Sequence, residues 1–81
     1  MNIEGKQILV LDSGFVYVGD CEIQDGFVVL HNASNVRRWG TKLGLGQLRF
    51  GPTSETVADK AGMIIVPIAR INHFIPVEKG W

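Results

Sequence analysis

Apolar and polar residues follow the two-residue period of β-strands in the first part of the chain. A short apolar run rich in branched residues spans positions 7–11, and an alternating stretch covers positions 15–24. The dipeptide Asp25-Gly26 comes next and accepts the positive φ angles of a tight hairpin turn. Residues 27–32 form the return strand of this hairpin. The pattern therefore predicts two paired antiparallel strands preceded by a shorter one.

The rest of the chain divides into a glycine-rich middle and an apolar end. Residues 35–38 either extend the third strand or leave it through a bulge, and apolar positions between 43 and 50 predict a short helical turn. Residues 63–69 and 71–77 predict one or two further strands, in which Pro67 and Pro76 mark bends, bulges or edges. The fold class is mostly β: a small antiparallel sheet or an SH3-like, partly open barrel, forming one domain over residues 1–81.

Length and composition limit how such a domain is stabilised and where it works. Cys21 is the only cysteine, so no internal disulfide is expected, and with His31 and His73 it makes no pair at metal-ligand spacing. We therefore predict neither a metal nor a cofactor. No apolar run approaches the roughly 20 residues of a membrane span, and the N-terminal residues do not resemble a signal peptide. These observations predict an intracellular protein that does not engage a membrane.

Charge is unevenly distributed although the net charge is zero. Residues 1–25 carry a charge of −4, residues 26–54 contain four bases and no acid, and residues 55–81 are balanced. The middle segment is thus the electropositive part of the sequence and favours an anionic ligand.

The middle segment contains the main candidate site. Arg37 and Arg38 offer planar guanidiniums for phosphate, and Trp39 offers a ring face on which a base can stack. Four further residues complete the predicted ligand-binding set, as a second ring or as polar readers of base and sugar: Tyr17, Asn32, Asn35 and Thr41. The alternative interpretation is that the arginines form a solvated edge and that Trp39 caps a small core.

Catalysis is not predicted. No Ser or Cys lies in an activated-nucleophile motif, and the acids of the first segment cluster in predicted turns. The sequence favours a binding protein over an enzyme.

Short motifs in the middle segment resemble a family of very small phage-encoded β-domains. The resemblance spans roughly residues 6–77. It rests on the segments Leu-His-Asn-Ala at 30–33, Arg-Trp-Gly at 38–40, Leu-Gly-Gln-Leu at 45–48 and Ile-Pro at 75–76. Where members often carry Ala-Arg-Arg, this chain has Ala33-Ser34-Asn35. Members resemble the anti-CBASS sponges, tetramers that sequester cyclic dinucleotides such as 3′,3′-cGAMP without cleaving them. The resemblance implies an immune-evasion sponge in the cytoplasm of an infected bacterial host.

Two independent considerations favour a homo-oligomer. One set of Arg and Trp contacts falls short of nanomolar affinity, so a site shared by two subunits across a dyad is expected, within a tetramer. Apolar residues also occupy both alternating registers near residue 65, and Trp81 is expected to be either disordered or docked on a neighbouring subunit.

Two other functions stay open. A single-stranded nucleic-acid binder is disfavoured by overall neutrality, and a phage structural or adaptor protein would use the arginines for protein contacts.

Overall fold

The protein is a single five-stranded antiparallel sheet with two free edges, and the computed structural model describes residues 5–81. The strand order across the sheet is β4-β3-β2-β1-β5. The strands are β1 (Gly5–Leu11), β2 (Val16–Gln24), β3 (Phe27–Arg38), β4 (Val57–Pro67) and β5 (Ile71–Pro76). A 3-10 turn covers Leu45–Phe50. The predicted mostly-β class, with an antiparallel sheet and a helical turn near 43–50, is confirmed.

The β2–β3 hairpin forms where its turn dipeptide predicts it. Asp25 and Gly26 have φ angles of 45° and 82°, and Gln24 pairs with Phe27. Positive φ at both central residues matches the right-handed twist of the strands that the turn connects. β3 then continues six residues beyond the predicted end at 32, and its pairing with β4 shifts register three times along the way. Residues 35–38 therefore extend the strand, and the bulges bend it.

The central strands are buried on both faces. One apolar cluster contains Ile8, Val18 and Leu48, and the opposite cluster contains Leu9 and Leu30. Ile8 and Leu9 are consecutive, so strand alternation sends their side chains to opposite faces. The 3-10 turn and the chain end cover the first cluster. Apolar residues of both edge strands, β4 and β5, pack against the second cluster, so the sheet curls towards a partly open barrel.

The C-terminal segment fastens the 3-10 turn to the sheet. The indole Nε1 of Trp81 donates a 2.7 Å hydrogen bond to the carbonyl of Leu48, and the N–H of Glu78 donates to the carbonyl of Arg49 at 2.7 Å. Trp81 also packs against the first apolar cluster. The expectation that Trp81 is disordered is wrong, because the ring finds both a hydrogen-bond acceptor and apolar neighbours within its own chain. The alternative, in which Trp81 docks on a neighbouring subunit, stays a prediction.

The two prolines of the C-terminal part end the two edge strands. Pro67 is the last residue of β4 and Pro76 the last of β5, where a missing N–H removes little from the ladder. A short 3-10 segment, Ile68–Arg70, separates the strands. Within residues 5–81, no helix has the length and hydropathy needed to cross a lipid bilayer.

Candidate ligand-binding site

The loop after β3 is fixed by two threonine hydroxyls. Thr56 Oγ1 donates to the carbonyl of Trp39 at 2.7 Å, and Thr53 Oγ1 donates to the carbonyl of Gly40 at 2.6 Å. Gly40 has a φ of +65°, and a Cβ at this position would lie 2.4 Å from the carbonyl carbon of Glu55. Only glycine allows this approach without displacing the backbone. The segment that carries the predicted site is therefore held in one conformation.

Four of the predicted site residues line one shallow depression of about 540 Å³. Its walls are Arg37, Arg38, Trp39, Gly40, Thr41 and Gly44. Trp39 is 44% exposed, so its indole is not sealed in the core. The alternative in which Trp39 caps a small core does not describe this arrangement. Arg37, Arg38 and Trp39 line the same depression because they are consecutive where β3 ends and the clamped loop begins.

Each arginine of the depression is paired with a carboxylate from the C-terminal part of the chain. Arg37 Nε contacts Asp59 Oδ2, and Arg38 Nη2 lies 3.4 Å from Glu55 Oε2. All four side chains are more than half exposed, and such surface pairs contribute about 0.2–1 kcal/mol each. The pairs orient the guanidiniums but are weak enough for a phosphate to replace the carboxylates. They also reduce the local positive charge that the sequence of residues 26–54 predicts.

Asn35 lies next to the depression. Its Nδ2 donates to the carbonyl of Val16 at 3.3 Å, and it lines a neighbouring hollow together with Phe15 and Arg37. Arg37 therefore borders both hollows. The aromatic ring beside it is Phe15, which sequence reasoning missed and which is 56% exposed.

Asn32 and Tyr17 lie elsewhere. Asn32, at a φ of 51°, directs its Nδ2 to Asp20 Oδ2 at 3.4 Å and borders a separate hollow with Lys60. Tyr17 packs against the second apolar cluster and lines a groove with Arg70. Tyr17 pairs with Asn35 across the strands and its ring centroid is 6.3 Å from that of Phe15, but Tyr17 lines neither of the two hollows that Arg37 borders. The structure thus gathers Arg37, Arg38, Trp39 and Thr41 in one depression, places Asn35 in the adjoining hollow that Arg37 also borders, and puts Asn32 and Tyr17 in two other hollows.

The arrangement supplies cationic donors and one ring face. The six lining residues of the depression include no carboxylate, histidine or cysteine. Within residues 5–81, no three His, Cys, Asp or Glu side chains are grouped so that they could hold a metal ion. In comparisons with family models and with curated proteins, the chain matched none.

Proposed function

We propose that this protein binds and sequesters a cyclic dinucleotide of the 3′,3′-cGAMP type without cleaving it, as a phage sponge in the cytoplasm of an infected bacterium. One observation carries the proposal: Arg37, Arg38 and the half-exposed Trp39 line the same depression, next to a loop held by two threonine hydroxyls. Phosphates need planar, bidentate donors and bases need a ring face. Both groups are available here within three consecutive residues.

Each residue has a separate role in this proposal. Arg37 and Arg38 bind the two phosphates, Trp39 stacks on one base, and Thr41 hydrogen-bonds to a sugar or base edge. Sequestration is favoured over chemistry because the lining residues lack a side chain that could act as an acid, a base or an activated nucleophile. A compact doubly charged ligand is favoured over a nucleic-acid polymer because the net charge is zero, whereas polymer binding calls for a wider basic surface.

The contacts of this depression alone do not reach the affinity that a sponge needs. Nanomolar binding corresponds to about −12 kcal/mol. One stacked base contributes about 1–3 kcal/mol and two charge-assisted phosphate contacts about 3–6 kcal/mol, while immobilising the ligand removes at least about 4 kcal/mol. The sum is about −5 kcal/mol at best, so a second set of contacts is required.

Self-association is the second part of the proposal, and the free edge of β4 supports it. Met63 and Ile65 are 61% and 57% exposed on this edge strand. The register with β3 shifts across Met63, but from Ile64 to Val66 the strand carries no charge, no proline and no further shift, so this short stretch lacks the usual features that protect an edge from pairing. We propose that this edge pairs with the β4 edge of a second copy, because pairing two uncharged stretches of β4 leaves no charge without a partner.

Strand geometry restricts this pairing. Suppose that two β4 strands pair antiparallel about a two-fold axis and that both sheets turn the same face to the same side. Even-numbered residues of one strand then lie opposite even-numbered residues of the other, and odd-numbered residues lie opposite odd-numbered ones. Pairing centred on Ile64 brings Met63 of each copy opposite Ile65 of the other. Val57 pairs with Arg38 and therefore lies next to the depression. It is seven residues from Ile64, or about 23 Å at about 3.3 Å per residue. This edge would not make the shared site expected from the sequence, so that expectation and the tetramer stay predictions.

Ile65→Lys tests the edge. We expect it to shift the sedimentation coefficient to that of a monomer, whereas Leu43→Lys, at another exposed aliphatic position, should leave it unchanged. An oligomer that survives Ile65→Lys would rule out this surface.

Ligand recovery tests the sponge itself. The protein is incubated with a panel of cyclic oligonucleotides and with single-stranded DNA, the unbound fraction is measured, and the protein is then denatured by heat. We expect depletion of a cyclic dinucleotide and its recovery intact. Degraded ligand would indicate an enzyme, depletion of DNA alone a polymer binder, and no depletion would remove the proposal.

Arg70→Ala provides a matched control for Arg38→Ala. Arg70 is 3.4 Å from Asp12, with an exposed side chain, and it lies outside the depression. Arg38→Ala and Trp39→Ala should abolish depletion, and Arg70→Ala should not. Equal effects of the two arginine variants would show that general charge, not the depression, holds the ligand.

A further inference from the structure

A second depression adjoins the first across one peptide unit. Gly44 lines the first depression, and the preceding residue, Leu43, lines the second. The second has a volume of about 580 Å³, and Gln47, Arg49, Phe50 and Pro52 are among its walls. None of these residues belongs to the site described above. The two hollows therefore meet the glycine-rich loop at consecutive residues, Leu43 and Gly44.

The second depression contains an exposed ring on a rigid support. Phe50 is 46% exposed, although it directly follows residues that are firmly held. Leu48 is completely buried, and the carbonyl of Arg49 accepts hydrogen bonds from the N–H groups of Glu78 and Lys79 at 2.7 and 3.2 Å. A ring held in this way loses little conformational freedom when a planar group stacks on it.

Arg49 adds a fixed cation beside this ring. Its guanidinium carbon lies 4.3 Å from the centroid of the Phe50 ring, within the range of a cation–π contact. Its Nη1 donates to the carbonyl of Gly46 at 3.0 Å, and its Nε donates to Glu78 Oε2 at 3.2 Å. The hollow thus repeats the chemistry of the first one: an aromatic face next to an arginine that a surface carboxylate orients.

The loop between the hollows is itself held. The backbone N–H groups of Lys42 and Leu43 both donate to Gln47 Oε1, at 3.0 and 2.9 Å. The side chain of Leu43 is nevertheless 85% exposed, and it provides an apolar wall for the second hollow. Leu43 and Phe50 thus give the second hollow two exposed apolar side chains.

We infer that the Phe50–Arg49 hollow is a second nucleobase subsite, which receives the other base of a two-base ligand bound at Trp39. This inference rests on the proposed function and deepens it: the ligand is a compact dinucleotide that spans Leu43 and Gly44 on one chain. The second base stacks against Phe50 and Leu43, and Arg49 adds positive charge for the phosphate on that side. The missing contacts then come from the same chain and not from a dyad-related copy.

Calorimetric titration with 3′,3′-cGAMP tests the subsite. Phe50→Ala is expected to weaken binding about 5- to 140-fold, the loss that corresponds to one stacked base. Phe27→Ala is the matched control, because Phe27 is also 46% exposed but lies at the start of β3, and it should bind as the unmodified protein does. Phe50→Leu keeps an apolar side chain and removes the ring. It should show a clear loss even if Phe50→Ala folds poorly.

The outcomes separate the subsite from the proposed function. If Trp39→Ala weakens binding and both Phe50 variants match Phe27→Ala, the second subsite is wrong and the sponge stands. If the unmodified protein does not bind 3′,3′-cGAMP or another cyclic dinucleotide, the sponge and the subsite both fail. The expected stoichiometry is one ligand per chain, and one ligand per two chains would overturn the arrangement on a single chain.

Discussion

Leu48→Ala tests how firmly the binding loop is seated on the sheet. Leu48 is fully buried in the first apolar cluster, against Ile8, Val18 and Val36, and it lies in the 3-10 turn that also contains Phe50. Leu→Ala changes at such sites lower the free energy of unfolding by about 2.7–5 kcal/mol. At about 0.05–0.15 kcal/mol per residue, a domain of 81 residues has about 4–12 kcal/mol in total. The change therefore removes a large share of the stability.

Urea denaturation followed by far-ultraviolet circular dichroism measures this loss. A decrease of 2.7 kcal/mol corresponds to a fall in Tm of about 11 °C or more in a domain of this size. Leu43→Ala is the control, because Leu43 lies on the adjoining loop but is 85% exposed and its truncation should stay within about 0.5 kcal/mol. If the two variants differ by less than about 1 kcal/mol at equal m-values, the turn is not anchored in the core and the reasoning about the rigid ring of Phe50 fails.

Three further substitutions test the loop, the ion pairs and the chain end. Gly40→Ala, at positive φ and with its Cβ 2.4 Å from backbone, should lower the free energy of unfolding by more than about 1–2 kcal/mol, whereas Gly46→Ala should be nearly neutral in the same denaturation assay. Glu55→Gln combined with Asp59→Asn should strengthen cyclic dinucleotide binding up to about fivefold per pair in calorimetry, because each carboxylate competes with phosphate for an arginine; weaker binding would mean that the pairs preorganise the site. Trp81→Phe, which removes the indole hydrogen bond to the 3-10 turn, should destabilise the protein by about 0.5–1.5 kcal/mol, and an unchanged midpoint would contradict this role for the chain end.

The sequence predicts local features of this fold and misses features set by pairing across the sheet. The Asp25-Gly26 turn and the alternation in β2 are local, and both are predicted correctly. The first part of β4 was missed, because Asp59 and Lys60 are polar and exposed and give no apolar period. This part becomes a strand through its ladder with β3, which contains register shifts that no sequence pattern announces.

The same distinction explains the candidate site. Arg37, Arg38 and Trp39 are found together because they are consecutive at the end of one strand. Tyr17 required knowledge of which face of β2 packs on the core, and its prediction as a second ring beside Trp39 does not match its place in the groove near Arg70. The charge count of residues 26–54 likewise did not predict that Glu55 and Asp59, which follow this segment, pair with its arginines.

The two threonines that hold the loop lie in a sequence pattern that predicts a turn. Thr53 and Thr56 are three residues apart, next to Pro52, in a pattern typical of hydroxyl-capped turns. Thr53 N donates to Thr56 Oγ1 at 2.8 Å. The same hydroxyls reach the carbonyls of Trp39 and Gly40, a contact between distant segments that only the folded chain brings together.

The central claim is that Arg37, Arg38 and Trp39 form the primary binding surface for a cyclic dinucleotide. The most direct test is a titration of isotope-labelled protein with 3′,3′-cGAMP, followed by NMR at the backbone amides, the indole N–H of Trp39 and the Nε–H of both arginines. We expect the largest shifts at these side chains and at the amides of residues 39–44. Saturable binding that leaves these signals in place and moves those of the groove around Tyr17 and Arg70 would contradict the claim.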